Sequence, residues 1–238
     1  MFKPSTQGGC MRQTAWDKSK SAPLYFSYNN DRKPPWTTVA VTNRGLASFA
    51  LTSYNENEEI FREKHICYVP FHWPFKKKHE VDTVEATVNK LSEINKKVFF
   101  DSANAYDVAA PGCRSRKKHD APTLACGIFY TNSFDMVGEK QASCGIFPAI
   151  ARLNHSCRPN TRQEYFSESG ELVLYASRRI SEGDQLFDSY TDLDSTVKVR
   201  KKELERWFRF VCDCDRCEEE EEDIDKIEDK FGRCKLAA

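Results

Sequence analysis

The first regular pattern of hydrophobic and polar residues begins near Trp36. Residues 37–42 alternate between apolar and polar side chains, the turn Asn43-Arg44-Gly45 follows, and residues 46–51 form a second extended run. Alternation with a period of two is typical of a strand with one buried face, and glycine accommodates a sharp bend. The pattern therefore predicts a β-hairpin with glycine at its bend.

The spacing of apolar residues changes between positions 81 and 98, where they recur every three or four residues. Polar side chains occupy the intervening positions, and the apolar ones are Val81, Val84, Val88, Leu91, Ile94 and Val98. This spacing places the apolar side chains on one face of a helix. It predicts an amphipathic helix that packs on the core, within a helical insertion at about residues 70–122.

Short strands separated by turns dominate the prediction for the remaining segments. The predicted strands are 66–69, 123–130, 145–150, 161–166, 171–176 and 185–190. Apolar residues on one side of the segment 196–208 predict a helix there. The acidic segment 218–230 is predicted either to form a surface helix or to remain solvated.

The charge balance bears on the classes of partner. Lysines and arginines number 36, aspartates and glutamates also number 36, and the net charge is zero. Such a chain has no general electrostatic attraction to nucleic acid. Basic clusters at 76–78 and 114–119 leave open a small zinc protein that grips nucleic acid, but the neutral net charge disfavours it. We expect no direct nucleic acid binding.

The segment 1–35 is rich in Ser, Lys, Asn, Gly and Pro and shows no periodicity, which predicts an extended or disordered leader. No run of residues is apolar and long enough for a signal-peptide core or a membrane span. We therefore expect an intracellular protein of the nucleus, the cytoplasm or both, with no membrane attachment. We also expect it to be a monomer.

Cysteine spacing carries the first chemical signal. Cys212, Cys214 and Cys217 place three thiols within six residues, a spacing that suits one metal ion better than disulfide bonds. A structural zinc site needs four ligands. The remaining candidates are Cys10, Cys67, Cys113, Cys126, Cys144, Cys157 and Cys234. Cys157 is favoured because Pro159 and polar neighbours place it in a rigid, irregular segment.

The run Asn154-His155-Ser156-Cys157, with Pro159-Asn160 after it, begins an ordered set of motifs. A strand pair follows, then the string GDQLFDSYTD and an aromatic-rich helix that ends in the three clustered cysteines. Together these motifs resemble the SET-domain protein lysine methyltransferases. Arg44-Gly45-Leu46 and the segment 57–61 are similar to the opening motifs of that family, so the resemblance covers roughly residues 37–217.

Within this family the chain most resembles the SET-and-MYND branch, partly through the run Thr131-Asn132-Ser133-Phe134. Members with a MYND finger carry a cysteine- and histidine-rich zinc module after the first SET motifs. The only cysteines among residues 65–120 of this chain are Cys67 and Cys113. The resemblance therefore implies a SET protein that lacks the MYND finger.

The resemblance implies a mainly β fold of the α+β type, the β-clip arrangement of small sheets with a helical insertion and a zinc-bound tail. The implied organisation is a leader at 1–35, a SET domain at 36–210, a zinc-binding segment at 211–217 and an acidic tail at 218–238. The implied cofactors are S-adenosylmethionine and one structural zinc ion. The implied reaction is methylation of a lysine in a histone or another protein.

The resemblance also assigns roles to individual residues. Tyr190 matches the catalytic tyrosine, which also borders the cofactor and the lysine channel, and Phe134 matches a residue beside that channel. Phe208 and Phe210 match aromatics over the adenine and along the channel. The implied cofactor-binding residues are Arg44, Gly45, Leu46, Asn132, Asn154, His155, Tyr190, Phe208 and Phe210. The implied zinc ligands are Cys157, Cys212, Cys214 and Cys217.

A second class of function remains open at this point. A SET module can be catalytically silent and use its zinc-stabilised fold to bind partner proteins. The presence of Tyr190, Asn154 and His155 argues against that alternative, because a silent module has no need of them.

Overall fold

The computed structural model describes residues 33–41, 45–70, 78–106, 123–137 and 143–236. The described residues do not include residues 1–32 of the predicted leader at 1–35, or Arg44. They also do not include Lys76 and Lys77 of the first basic cluster or any residue of the second. Within the described ranges the elements occur in blocks: four strands, three helices, six strands with a short 3-10 turn among them, and two final helices. No described helix is both long enough and apolar enough to cross a membrane.

The predicted hairpin is confirmed. Strands β1 (Trp36–Val41) and β2 (Gly45–Ala50) pair antiparallel, with Val41 opposite Gly45 at the bend. The φ angle of Gly45 is 77°, a left-handed conformation in which a side chain would be strained. The hairpin therefore depends on the absence of a Cβ atom at this position.

Two three-stranded antiparallel sheets and one parallel pair complete the β structure of the described residues. Their strands are β3 (Glu59–Lys64), β4 (Cys67–Val69), β5 (Ser133–Met136), β6 (Ser143–Ile146), β7 (Asn154–His155), β8 (Thr161–Phe166), β9 (Glu171–Ala176) and β10 (Phe187–Asp188). The sheet orders are β3-β9-β8 and β4-β6-β5, and β7 lies parallel to β10. The predicted strands at 145–150 and 185–190 are shorter than expected. Strand β6 ends at Ile146, before a turn and a 3-10 segment, and β10 contains only Phe187–Asp188, with Gln185 in an isolated bridge to Phe49.

The helical insertion differs from the single helix predicted at 81–98. Helix α1 (Lys78–Asn89) ends before Ser92, and helix α2 (Glu93–Phe100) begins after it. The Ser92 hydroxyl accepts a hydrogen bond from the backbone N–H of Asn95 at 3.3 Å, which caps the second helix. The predicted apolar face is confirmed in part. Val84, Val88 and Val98 are buried, whereas Ile94, in the first turn of α2, is 56% exposed.

The strand predicted at 123–130 is wrong, because this segment is helix α3 (Leu124–Asn132). Its apolar run is almost entirely buried, and the periodicity of a short buried run does not separate a strand from a helix. The decisive signal is Thr123, whose hydroxyl accepts a hydrogen bond from the N–H of Cys126 at 3.2 Å. This N-cap fixes the start of the helix.

The helix predicted at 196–208 is confirmed as α4 (Val197–Phe208), and the acidic segment lies within α5 (Asp215–Leu236). Helix α4 ends at Arg209, whose φ angle of 62° reverses the chain towards the clustered cysteines. The main core packs the β3-β9-β8 sheet against a 3-10 turn at Ile150–Arg152 that leads into β7. This core therefore holds the motif that contains Asn154.

Candidate active site

Four buried thiols meet between β7 and the start of α5. The Sγ atoms of Cys157, Cys212, Cys214 and Cys217 all lie within 4.8 Å of one another. The Sγ of Cys157 is 3.8 Å from that of Cys212 and 3.5 Å from that of Cys217. Sulfur atoms bound tetrahedrally to zinc at about 2.3 Å stand about 3.8 Å apart, so the four thiols fit a zinc ion.

The thiol cluster contains the four cysteines that the sequence favoured for one ion. Three other cysteines, Cys67, Cys126 and Cys144, lie in a different core cluster, beside α1 and α3. Cys157 is joined to the three remote thiols because β7 and β10 pair in parallel and carry its loop towards the end of α4. The fold, and not the sequence spacing, therefore selects the fourth thiol.

Hydrogen bonding changes the acidity of the thiols in the cluster. The bond with Cys157 lowers the pKa of Cys217 to about 7, whereas the bonds to its three neighbours raise the pKa of Cys157. Four thiolates at this separation would repel one another strongly without a cation between them. A divalent metal ion bound to the thiolates would offset this repulsion with its positive charge.

A positive side chain is buried beside the cluster. Arg200 of α4 is fully buried, and its Nε donates to the Sγ of Cys157 at 3.3 Å. The same guanidinium lies 3.8 Å from the Sγ of Cys217 and forms an ion pair with Glu220 of α5 at 2.8 Å. It also donates to the carbonyl of Ser195 at 2.6 Å. Arg200 therefore balances negative charge on the sulfur atoms and ties α5 to them.

His155 links the thiol cluster to Tyr190. The His155 ring is 1% exposed, and burial lowers its pKa to about 4, so the ring is neutral at pH 7. Its Nδ1 accepts the backbone N–H of Tyr190 at 3.0 Å, which places the ring proton on Nε2. Nε2 then donates to the Sγ of Cys157 at 3.3 Å. The backbone of Tyr190 is thereby connected to the thiols.

A cavity of about 320 Å³ opens on the other side of Tyr190. Its volume is at the lower end of the range of known small-molecule sites. The residues that line it are Thr131, Asn132, Ser133, Phe134, Asp135, Ala151, Leu153, Gln163, Tyr165, Leu172, Ser189, Tyr190 and Phe208. Aromatic and aliphatic side chains therefore form about half of the wall, and polar side chains, among them the carboxylate of Asp135, form the rest.

Tyr190 stands where the cavity and the thiol cluster meet. Its hydroxyl donates to the carbonyl of Leu153 at 2.5 Å, and its ring packs on Phe208 with centroids 4.8 Å apart. Both rings also pack against the thiol cluster. Phe210 also packs against the thiol cluster, and its ring centroid is 6.0 Å from that of His155.

The structure separates the residues expected to bind a cofactor into two groups. Asn132, Phe134, Tyr190 and Phe208 line the cavity. Gly45, Leu46, Asn154, His155 and Phe210 do not line it, and Arg44 lies outside the described residues. The side chain of Asn154 donates to the carbonyl of Leu46 at 2.7 Å, so two distant motifs meet at one hydrogen bond.

Asn132 has a structural bond in addition to its place on the cavity wall. Its side-chain nitrogen donates to the carbonyl of Ala103 at 2.7 Å and to that of Ile128 at 2.6 Å. These bonds hold the end of α3 against the segment that follows α2. They also turn the start of β5, and with it Phe134, towards the cavity.

Several polar residues near the cavity were not identified from the sequence. Besides Asp135 and Ser189, they include Gln163, Tyr165 and Asp188. Gln163 and Tyr165 lie on β8, which the sequence predicts only as a strand, and Asp188 lies two residues before Tyr190. Alternation would have placed Gln163 and Tyr165 on the same face of β8. The sequence does not indicate that this face borders Tyr190, because that contact depends on how β8 packs beside β10.

A buried carboxylate fixes the turn that leads to Asn154. Glu63 of β3 is fully buried, and its two oxygens accept the backbone N–H groups of Ala149 and Ile150, each at 3.0 Å. These groups begin the 3-10 turn, and a carboxylate at this end satisfies N–H groups that lack a partner within the turn. Glu63 thereby holds the approach to β7 in one position.

Comparison with known proteins bears on this arrangement. A family model described as the SET domain matches residues 10–191. Histone-lysine N-methyltransferase set5 of Schizosaccharomyces pombe is 24% identical over 195 residues, which is 82% of this chain and 54% of that protein. Histone-lysine N-methyltransferase SMYD3 of Homo sapiens is 35% identical over 98 residues, 40% of this chain and 22% of that protein.

N-lysine methyltransferase SMYD2-B of Danio rerio is 35% identical over 111 residues, which is 46% of this chain and 25% of that protein. The chain thus spans about half the length of set5 and about a quarter or less of the other two relatives. The crystal structure of CpSET8 from Cryptosporidium covers 66% of this chain at 12% identity with a TM-score of 0.39, a similarity too weak to add to the family match.

The match at residues 10–191 includes the hairpin, the Asn154 motif and Tyr190, and it spans more than half of the chain. Two relatives named SMYD also agree with the resemblance to the SET-and-MYND branch. Tyr190 and Phe208 lie both at the cavity and against the thiol cluster, and His155 of the Asn154 motif joins the backbone of Tyr190 to that cluster. This chain belongs to the SET-domain family.

Proposed function

We propose that this chain is a protein lysine methyltransferase that uses S-adenosylmethionine as the methyl donor. The observation that carries the proposal is the cavity that Tyr190 shares with Phe134, Tyr165 and Phe208. Relatives with the same domain are named histone-lysine or N-lysine methyltransferases. The proposed substrate is accordingly a lysine in a protein, either a histone or another one.

The donor set of the cavity suits the proposed cofactor. The side-chain oxygen of Asn132, whose nitrogen is bonded to backbone carbonyls, and the hydroxyl of Ser133 offer polar contacts. Phe208 offers a flat face beside Tyr190. We propose that Arg44, Gly45, Leu46, Asn154, His155 and Phe210 complete the cofactor site, as the family resemblance implies. When bound, S-adenosylmethionine supplies the methyl group on a positively charged sulfur.

The protein must present the substrate lysine as a neutral amine. An ordinary lysine has a pKa of about 10.4, so deprotonation at neutral pH costs on the order of 4 kcal/mol. The apolar side chains of Phe134, Leu153 and Leu172 on the cavity wall would disfavour the ammonium form and lower this cost. The carboxylate of Asp135 on the same wall would act in the opposite direction. Phe134 is proposed to border the channel by which the lysine enters.

Tyr190 is the proposed catalytic residue. Its hydroxyl is held by the carbonyl of Leu153, and its backbone N–H is held by His155, so the side chain has little freedom to move. A hydroxyl oxygen fixed in this way accepts a hydrogen bond from the amine and orients its lone pair. Orientation of the reacting groups accounts for much of the rate of a transfer between two bound molecules.

The thiol cluster is proposed to bind one structural zinc ion through Cys157, Cys212, Cys214 and Cys217. All four ligand positions would be filled by sulfur, so zinc would have no open position for catalysis. Its effect would be to hold the segment 211–217 against Tyr190 and Phe208, which pack on the cluster. The proposed organisation is a SET domain at 36–210, with a leader before it and an acidic tail at 218–238.

The experiment that tests the function uses the purified chain, S-adenosylmethionine with a labelled methyl group, and a mixture of core histones and cell lysate. Transfer of label to protein lysines, mapped by mass spectrometry, is the expected result. The matched control is Tyr190→Phe, which should bind the cofactor in calorimetry but transfer little label. Cofactor binding without transfer to any lysine would instead favour a catalytically silent module.

A further inference from the structure

A buried carboxylate lies behind one wall of the cavity and has no part in the proposed methyl transfer. Asp188 is the second residue of β10 and is 3% exposed. Its backbone is fixed opposite His155 in the parallel pair, and its carbonyl accepts the N–H of Ser156 at 2.9 Å. Burying a carboxylate charge destabilises the folded state unless hydrogen-bond donors face it.

Two donors face the Asp188 carboxylate. The backbone N–H of Ser189 donates to Oδ1 at 2.8 Å. The amide of Gln163, on the neighbouring β8, is assigned with its nitrogen towards Asp188, because the opposite orientation would bring oxygen acceptors together. In this orientation the nitrogen lies 2.8 Å from Oδ1 and 3.2 Å from Oδ2. Gln163 and Ser189 both line the cavity. The residues that bind the carboxylate are thus the same residues that separate it from the cavity.

The orientation of the Gln163 amide follows from this contact. An amide group has a donor end and an acceptor end, and a carboxylate accepts hydrogen bonds only. With its nitrogen on Asp188, Gln163 has its carbonyl oxygen to offer to the cavity. An oxygen in that place suits the N–H of an amine or an ammonium group. A carboxamide at position 188 would remove this preference, because it could donate to the Gln163 oxygen.

We propose that Gln163 binds the substrate's amino group in the cavity and that Asp188 positions Gln163 for this task. The inference rests on the proposed lysine methyltransferase function and goes beyond it, since it names the acceptor for the amine on the wall formed by β8. Gln163 is then a binding residue, and Asp188 is a positioning residue. Burial raises the pKa of Asp188 to about 7, so the carboxylate is ionised above neutral pH.

The proposal has a consequence for the methylation state. Each methyl group added to a lysine amine replaces one N–H that could donate to Gln163. An acceptor in the cavity therefore favours lysine with few methyl groups as the substrate. Loss of the acceptor should weaken binding of unmodified lysine most, and it should shift the product towards higher methylation.

The test is a double-mutant cycle on the full chain, with the peptide whose lysine is mapped as described above. The variants are Gln163→Met, Asp188→Asn and the double variant, and the matched control is Glu164→Gln, an exposed neighbour on β8. Each single variant should raise the KM for the peptide roughly tenfold, because a directed hydrogen bond is lost, with a smaller change in kcat. The double variant should be no worse than Gln163→Met.

Cofactor affinity and melting temperature separate this role from a structural one. Cofactor affinity should be close to the wild-type value in Gln163→Met and in Glu164→Gln. The melting temperature should be unchanged in Glu164→Gln and lower in Gln163→Met, which leaves the buried Asp188 carboxylate with one donor fewer. Additive effects of the two single variants on KM, or an unchanged KM in Gln163→Met, would overturn the proposal. A wild-type chain that neither binds nor methylates any lysine peptide would overturn the proposed function itself, whereas wild-type transfer with unaffected variants overturns the role of Gln163 alone.

Discussion

The thiol cluster and the cavity meet at Tyr190 and Phe208, but they are assembled in opposite ways. Three of the four thiols come from the six residues between Cys212 and Cys217, and one hydrogen-bonded loop delivers the fourth. The cavity wall comes from at least five separate segments, from α3 to the end of α4. The metal site can therefore be recognised from a short sequence motif, whereas the cavity cannot.

The difference has a chemical cause. A zinc ion requires sulfur atoms of one residue type, so each ligand is identifiable by its side chain. A cavity requires only that side chains of suitable size and polarity face one another, and many residue types meet that need. The two regions also depend on each other, because His155 joins the backbone of Tyr190 to the Sγ of Cys157.

The largest expected effect is on the thiol cluster. Cys214→Ser should abolish stable zinc binding, and the melting temperature should fall, since structural zinc contributes roughly 10 to 16 kcal/mol of apparent folding free energy in small zinc domains. Methyl transfer should fall as well, because Tyr190 and Phe208 pack on the cluster. Metal content and a thermal melt measure these effects.

The matched control for this change is Cys126→Ser, a buried thiol of α3 outside the thiol cluster. It should retain one zinc ion per chain even where its stability falls. Equal loss of metal in both variants would mean that unfolding, and not ligand removal, explains the result.

The next effect concerns the cavity. Tyr190→Phe removes the hydroxyl that donates to Leu153 but keeps the ring that packs on Phe208. We expect kcat to fall by on the order of a hundredfold or more, as for other groups that orient the reacting atoms, while zinc content is unchanged. Tyr165→Phe, another tyrosine on the cavity wall, serves as the control in the same steady-state assay. Unchanged turnover in Tyr190→Phe would remove it from the catalytic role.

A third effect is a dependence of stability on pH that originates beside the cavity. Desolvation raises the pKa of Asp188 to about 7, whereas an unfolded aspartate has a pKa of about 3.9. Between these values the folded chain keeps a proton that the unfolded chain has lost, so this group destabilises the fold as the pH rises through that window. The effect should reach a few kcal/mol at most.

Chemical denaturation of wild type and of Asp188→Asn at several pH values gives two free energies of unfolding at each pH. Their difference measures the contribution of Asp188. The variant should gain relative stability as the pH rises from about 4 towards 7. His155 contributes the opposite slope, because burial lowers its pKa, and it is present in both proteins. A constant difference across the range would show that Asp188 titrates normally.

The smallest expected effect is on zinc affinity when the positive charge of Arg200 beside the thiol cluster is removed. Arg200→Gln removes a buried cation that donates to the Sγ of Cys157, and zinc affinity should fall by roughly 10- to 100-fold, as for other groups that contact a metal ligand. Lys201→Gln is the control, because Lys201 is the next residue of α4 and pairs with Glu221 instead of donating a hydrogen bond to a sulfur atom. Competition with a coloured chelator measures both affinities, and equal values would exclude the role of Arg200.

Local patterns predicted the parts of the fold that depend on local chemistry. The hairpin with Gly45 at its bend, the strands β8 and β9, and helix α4 follow from alternation, turn residues and apolar spacing. Two errors arose where a local pattern is ambiguous or interrupted. The apolar run of α3 fits a strand equally well until the Thr123 cap is considered, and Ser92 divides what looks like one helix.

The amino-acid sequence by itself determined the family, the order of the motifs and the three clustered thiols, because each of these depends on residue identity at short range. Only the tertiary structure decided that Cys157 meets those thiols, that His155 joins them to Tyr190, and that Gln163 and Asp188 stand at the cavity wall. These contacts join residues far apart along the chain. They form because β7, β8 and β10 pack side by side, and no local spacing carries that information.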